Sequence, residues 1–249
     1  MNSDSRFQDN QENSSQNTEF KIERLNSFLE LQNAEILSSD NLFELISALI
    51  DPTENELVQA AVLPVLIKFG KDAAPLLFDQ WSELQDCQSE LPLLSSSDFA
   101  AVSSRLSYAL SQISETPTSV FDSFLLSDIP RVRQNAVIGF SKKTKNDRSF
   151  DNLLFHVLKT DADPETAFEA ATALSLGKTA VLSFFEEALS DNFSKKADHH
   201  VFGKVIEISG EIGECTTLPL LESYLSDSDA RLSNAAVEAI QKIKFNHKI

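Results

Sequence analysis

The chain has 249 residues, 42% of them hydrophobic, and its 38 Asp and Glu against 21 Lys and Arg give a formal net charge of −17. This length and composition suffice for one large or two small folded domains and exclude a chain that is disordered throughout. A charge this negative opposes binding to nucleic-acid phosphates and to anionic membranes, so we expect no nucleic-acid partner and no membrane partner, but another protein or a cationic or neutral small molecule.

The N-terminal 19 residues are rich in Asn, Gln, Ser and acidic residues, which predicts a disordered tail. They lack the basic start and apolar core of a signal peptide, and no apolar run in the chain approaches the length of a membrane span. The two cysteines, Cys87 and Cys215, are far apart in the sequence, which fits a reducing compartment. We therefore predict a cytoplasmic protein that is folded over residues 20–249.

Apolar residues recur at helical spacing along the chain. A first helix is predicted near residues 20–32, where it would cap the N-terminal end of the fold. Further along, four segments resemble one another: IDPTENELVQAAVLPVL, LSDIPRVRQNAVIGF, KTDADPETAFEAATALSL and LSDSDARLSNAAVEAI. Each has an acidic or Ser/Thr turn and then a helix with apolar or small residues at i, i+4 and i+7. We place Asp51, Asp128, Asp161 and Asp227 at the N-terminal ends of these helices, as capping or dipole-stabilising acids.

Including two weaker copies, six such triplets are predicted to form the packing face of the second helix of a hairpin. They are Leu57, Ala61 and Pro64; Val102, Leu106 and Ala109; Val132, Ala136 and Gly139; Ala167, Ala171 and Leu174; Val201, Val205 and Ile208; and Leu232, Ala236 and Ala239. The widest interval between them contains QDCQSELPLLSSS, which we interpret as a longer loop.

A helix with larger apolar residues precedes each second helix, so the repeated unit is a helical hairpin. The hairpins are predicted near residues 40–70, 72–113, 117–143, 148–177, 178–213 and 214–245. One hairpin cannot bury its apolar faces alone, whereas stacked hairpins can. The predicted fold is therefore an all-α, right-handed α-solenoid of about six hairpins with an N-terminal capping helix.

SDIPRVRQNAVIGF and SDSDARLSNAAVEAI resemble the short bacterial form of the HEAT repeat, which has an acidic turn, then Val-Arg, then Ala-Ala and a small residue. The resemblance covers about residues 40–244, although Ala167-Phe168 and Leu57-Val58 lack the arginine and Arg231 precedes Leu232. It implies that Arg133 pairs with turn acids such as Asp128 or Asp161. The structural repeat positions are Asp128, Val132, Ala136, Gly139, Ala171 and Ala236.

No residues form a pattern typical of a catalytic or metal site, so we predict neither. His199 and His200 are adjacent and would point about 100° apart on a helix, which disfavours joint ligation of one ion. They remain candidate contacts for a partner. Cys215 is interpreted as a small buried residue and Cys87 as an exposed thiol in or beside the long loop.

Basic residues concentrate at one place in this acidic chain, and they comprise Arg131, Arg133, Lys142, Lys143 and Lys145. One interpretation is a docking site for an acidic partner or a carboxylate-bearing ligand. The other, which the sequence favours, is a solvated loop beside a structural arginine. Arg133 is the structural candidate, and Arg131 is the better candidate for contact with a partner.

These features favour a non-enzymatic protein-binding scaffold without a cofactor. An alternative follows from the resemblance to the HEAT-like phycobilin lyases and related phycobilisome maturation or degradation factors. In that family two HEAT-type proteins often cooperate to attach a tetrapyrrole bilin to a cysteine of a phycobiliprotein. The partner would then be a second HEAT-repeat subunit or a phycobiliprotein, and the basic residues would bind the propionates of the bilin. A HEAT-like DNA glycosylase is disfavoured by the charge of −17.

Overall fold

The structure is a computed structural model that describes residues 18–28, 38–90, 94–144, 148–190 and 198–248. Residues 1–17 of the predicted tail lie outside this part, whereas residues 18 and 19 begin a helix. The described residues contain thirteen α-helices and no strand, which confirms the all-α prediction. The helices are α1 (residues 18–28), α2 (Ser39–Ile50), α3 (Glu56–Lys68), α4 (Gly70–Glu90), α5 (Ser96–Gln112), α6 (Thr118–Leu125), α7 (Pro130–Thr144), α8 (Asp151–Thr160), α9 (Pro164–Ser175), α10 (Leu182–Ser190), α11 (His199–Ile212), α12 (Leu218–Glu222) and α13 (Ala230–His247).

Short polar side chains fix where many of these helices begin. An N-cap oxygen accepts a hydrogen bond from a backbone N–H of the first turn and so satisfies a donor that the helix leaves open. The side chains that do so belong to Ser38, Asn55, Ser95, Asp163, Asp198 and Asp229.

The chain divides into two compact units between Val120 and Phe121. In the first unit α2 packs on α3 and α4 packs on α5, while α5 also contacts α2 and α3. Leu49, Val62 and Leu106 are fully buried in its core. The guanidinium of Arg105 in α5 donates a hydrogen bond of 3.1 Å to the Leu49 carbonyl oxygen, which ties α5 to the C-terminal end of α2.

In the second unit the helices pack mainly against their neighbours in the chain. α7, α9, α11 and α13 pack side by side in that order, and α8, α10 and α12 lie against α9, α11 and α13 respectively. Contacts between α11 and α13 advance in step along both helices, from His199–Asp229 to Gly210–Ala239, so these two helices are parallel. This sequential packing is a repeat-like arrangement.

Two glycines allow close packing in this unit. A Cβ atom on Gly210 would lie 2.4 Å from the Ala239 Cα atom, so α11 and α13 meet where neither has room for a larger residue. A Cβ atom on Gly139 would lie 2.5 Å from the ring of Phe121, which itself packs on Phe140 at a centroid separation of 5.5 Å. Small residues in the second helices therefore admit the large side chains of their neighbours.

The same turn recurs before α3, α7, α9 and α13. In each turn a side-chain oxygen accepts a hydrogen bond from the backbone N–H two residues later. The pairs are Asp51 with Thr53, Ser127 with Ile129, Asp161 with Asp163, and Asp227 with Asp229, at 2.8–3.2 Å. The predicted acids thus close the turns and do not cap the helices. In the second copy Ser127 has this role, while Asp128 is exposed.

Five of the six predicted triplets are buried as expected. In α3, however, Leu57 is 64% exposed and the buried stripe is Val58, Val62 and Val65, one residue later. The prediction was wrong there because the turn continues past Pro52 to the N-cap Asn55. The one-residue shift also places Pro64, which lacks an N–H, on the solvent side of the helix.

A second correction concerns the insertion QDCQSELPLLSSS. Its first six residues are not a loop, because α4 continues through Glu90, and its last two, Ser96 and Ser97, belong to α5. Residues 91–93 lie outside the described part of the chain.

Candidate functional site

Arg133 joins two successive turns of the second unit. Its Nε and Nη2 atoms donate hydrogen bonds to the two carboxylate oxygens of Asp161, at 2.9 and 2.8 Å, and its Nη1 atom donates to the Ser127 carbonyl oxygen at 3.0 Å. The side chains of Arg133 and Asp161 are only 16% and 8% exposed. The expected pairing with a turn acid is therefore present, and the acid is Asp161. Because both carboxylate oxygens of Asp161 accept hydrogen bonds from it, the Arg133 guanidinium makes its contacts within the fold.

The electrostatics of Asp161 follow from this contact. Burial alone would raise the pKa of its carboxyl group. The hydrogen bonds from Arg133 and from the Asp163 N–H, together with the charge of Arg133, outweigh burial and hold the pKa below its usual value. The same hydrogen bond raises the pKa of Arg133, against the effect of burial. The pair is therefore ionised at neutral pH.

The other members of the basic cluster are not gathered around one point. Arg131 is exposed, and its Nη1 atom donates a hydrogen bond to Oε1 of Gln134 within α7. Lys142 and Lys143 lie in the last turn of α7, and Lys145 lies outside the described residues. Arg133 thus contacts Asp161 and Arg131 contacts Gln134, so the two arginines make separate contacts within the structure.

His199 and His200 have different surroundings. The Nδ1 atom of His199 lies 2.5 Å from Oδ2 of Asp229, which also accepts a hydrogen bond of 2.8 Å from Arg231. The ring of His200 stacks on Phe168, with centroids 4.5 Å apart and planes 3° apart. The two rings therefore serve different contacts. Within the described residues, no group of three or more His, Cys, Asp or Glu side chains is placed to hold a metal ion.

These histidines border an open groove of about 300 Å³, which we call the α9–α13 groove. Its floor includes the small residues Gly203 and Ala235, and the Lys204 ammonium group lies 5.6 Å from the centroid of the Phe168 ring. The groove is lined by Phe168 of α9; by His199, His200, Gly203, Lys204 and Glu207 of α11; and by Arg231, Leu232, Ala235, Glu238, Ala239 and Lys242 of α13.

Charge varies along the groove. The N-terminal half carries His199, His200, Lys204 and Arg231, while Glu207, Glu238 and Lys242 follow toward the C-terminal ends of the helices. The first turns of α11 and α13 add the partial positive charge of helix N-termini. A ligand that follows the groove thus meets Lys204 and Arg231 first, which pair with Glu207 at 3.2 Å and with Asp229 at 2.8 Å, and then Glu238 and Lys242.

Sequence reasoning found the two histidines of this groove and missed Phe168, Lys204 and Arg231. Phe168 occupies the position at which the repeat pattern has an arginine. This difference from the pattern could have marked Phe168 as a candidate site residue. Lys204 follows His200 by one helical turn, so both lie on the same face of α11. The contribution of α13 depends on packing between distant segments, which spacing alone does not give.

Both cysteines are exposed. The interpretation of Cys215 as a small buried residue was wrong, because it begins the 3₁₀ turn Cys215–Thr217 at the surface. Cys87 is exposed as expected, but it lies on α4 and not in a loop, beside a cavity of about 520 Å³ within the first unit.

Comparison with known proteins gives no assignment. No protein-family model matches the sequence, and a search of curated proteins finds no significant match. Among the described helices, none is both apolar enough and long enough to cross a membrane.

Proposed function

We propose that the chain is a HEAT-like, right-handed α-solenoid of six helical hairpins, and that it is a non-enzymatic scaffold that binds another protein through the α9–α13 groove. The repeated turns and the sequential packing of α7, α9, α11 and α13 support the fold. The observation that carries the function is the open groove on that helix layer. Parallel second helices side by side form a surface on which an extended segment lies along several repeats.

The charge pattern defines the partner segment. We expect an acidic side chain at the end that meets Lys204 and Arg231, because the helix N-termini add to the attraction. An apolar side chain of the partner fits over Gly203 and Ala235, because these two residues of the groove have little or no side chain. A basic side chain then falls near Glu238. The bilin-lyase alternative stays a hypothesis from sequence resemblance, since no observed contact favours it.

The test places a photo-crosslinking amino acid at Ala235 in the groove and, as control, at the exposed Ser183 of α10. The protein that crosslinks from position 235 is identified, purified, and titrated against the scaffold by calorimetry. Reversal of the groove charges with Lys204→Glu and Arg231→Glu is expected to weaken this binding about tenfold or more, which corresponds to about 1.4 kcal/mol.

A matched control changes the same number of charges elsewhere in the unit. Lys178→Glu and Lys248→Glu replace two exposed lysines outside the groove and should leave the affinity within about twofold. Equal crosslinking from positions 183 and 235 would contradict the proposal, as would equal loss of affinity in both charge-reversal pairs.

A further inference from the structure

The first unit holds an amphipathic helix of its own, α1, which carries two cations, Lys21 and Arg24, and two acids, Glu19 and Glu23. α1 lies on α2 and α3, and Lys21 Nζ is 2.6 Å from Glu54 Oε2. Arg24 donates two hydrogen bonds to the carboxylate of Glu44, at 2.9 and 3.0 Å. Leu25, which follows Arg24, is only 6% exposed. The contacts therefore combine two ion pairs with one buried apolar anchor.

The packing of α1 on the α2–α3 face is incomplete. A cavity of about 400 Å³ remains between α1 and the α2–α3 face, with Leu45, Val58 and Val62 in its lining. Phe20 at the start of α1 is 65% exposed, and the Arg24–Glu44 pair is exposed on both sides. Exposed pairs of this kind contribute little and are screened by salt. The α2–α3 face is thus not filled by its resident helix.

The charge of the surrounding unit has the sign that such a helix needs. Residues 1–120 contain 19 acidic and 6 basic residues, so this unit carries −13 of the total charge of −17. A field of this sign raises the association rate of a cationic partner. The face itself presents Glu44, Asp51 and Glu54 around its apolar lining.

We propose that the α2–α3 face is a binding site for a basic amphipathic helix of a partner protein, and that α1 is its internal occupant, which the partner displaces. The partner helix carries the chemistry that α1 shows: cations at i and i+3 and apolar residues at i+4 and i+7, as in Lys21, Arg24, Leu25 and Phe28. This is recognition of a helix in a groove. The site lies wholly in the first unit and does not depend on the α9–α13 groove.

The test uses the full-length chain and a fluorescent peptide of the α1 sequence, TEFKIERLNSF, as probe. Lys21→Gln with Arg24→Gln in the protein removes the ion pairs that hold α1 in place and leaves no charge that could pair again when the acids of the face are reversed. By fluorescence anisotropy the peptide is expected to bind this variant at least about tenfold more tightly than the wild type. Adding Glu44→Lys and Glu54→Lys should abolish binding, and a peptide with both cations replaced by Glu should restore it.

Asp72→Lys with Asp79→Lys is the matched control for the second change, because both acids are exposed on α4 outside the site. This control should leave peptide binding to the loosened variant within about twofold after correction for ionic strength. No peptide binding to a folded loosened variant would overturn the proposal, as would equal binding in the presence of Glu44→Lys and Glu54→Lys.

If a variant does not fold, hydrogen exchange of the wild-type chain tests whether the peptide displaces α1. Saturating peptide should accelerate exchange of the backbone amides of α1, since the peptide takes its place; unchanged exchange would contradict displacement. Exchange of α1 between two copies, seen as a dimer by sedimentation, would assign the site to a second copy and overturn the partner assignment.

Discussion

Replacing Arg133 by Ala tests whether the ion pair with Asp161 stabilises the second unit. The substitution removes three hydrogen bonds and leaves the Asp161 carboxylate, 8% exposed, without its cation. Truncating one partner of a fully buried pair costs about 3–5 kcal/mol, whereas an exposed pair contributes about 1 kcal/mol or less. Asp161 keeps the hydrogen bond from the Asp163 N–H, and Arg133 is partly reached by water. We therefore expect a loss of about 2–3 kcal/mol.

The assay is urea unfolding followed by far-ultraviolet circular dichroism, with a thermal scan as second measure. At roughly 2–4 °C per kcal/mol for a chain of this size, the midpoint should fall by about 4–12 °C. Arg131→Ala is the control, because that side chain is exposed, and it should stay within about 0.5 kcal/mol of wild type. A double-mutant cycle with Asp161→Asn should give a coupling energy of about 1 kcal/mol or more. A loss below about 0.5 kcal/mol, or zero coupling, would refute the reasoning.

The remaining predictions concern pH, packing and capping. Because the pKa of Asp161 is lowered in the folded state, its contribution is present above the unfolded-state pKa of about 3.9 and is lost as pH falls through the folded value. The stability difference between wild type and Arg133→Ala should thus be constant from about pH 5 to 8 and shrink as the pH falls below about 4, toward the part that the hydrogen bond to the Ser127 carbonyl oxygen contributes; a difference that does not shrink below about pH 4 would contradict this assignment. Gly210→Ala should lower the free energy of unfolding by about 1–3 kcal/mol, because the added Cβ atom would overlap Ala239. Gly203→Ala, whose Cβ atom would have its nearest neighbour at 3.8 Å, should raise it by about 0.5–1 kcal/mol. Equal effects of the two substitutions in chemical denaturation would show that α11 and α13 do not approach closely at Gly210. Asp163→Ala should cost about 1 kcal/mol by removing the N-cap of α9, while Asp163→Asn should preserve most of it.

The sequence predicted the helical class and most of the packing register because small residues in close helix contacts repeat at i, i+4 and i+7. Val132, Ala136 and Ala236 are fully buried as that pattern requires. The register of α3 was misplaced by one residue: alignment with the other copies puts Leu57 on the packing face, whereas the structure, with Asn55 as the N-cap, buries Val58. The start of α3 depends on the hydrogen bond from the Leu57 N–H to the side-chain oxygen of Asn55, which the composition of the segment does not reveal.

The candidate site was predictable only in part. His199 and His200 were identified because they are adjacent in the sequence, and Arg133 was assigned to the turns by its place in the repeat. The α9–α13 groove is formed by side chains from three helices, and its lining follows from how α11 and α13 pack. Spacing within one helix predicts a face, but it does not predict which face of another helix stands opposite.

The contact between Gly210 and Ala239 limits how this chain can diverge over evolution. Any larger residue at position 210 would meet the backbone of α13, so a compensating change at position 239 alone would not restore the fit. Gly203, seven residues earlier on the same helix, has no such neighbour. Among descendants that keep this packing, position 210 should therefore remain glycine while position 203 drifts. One helix thus carries a glycine that selection must preserve and another that it can exchange.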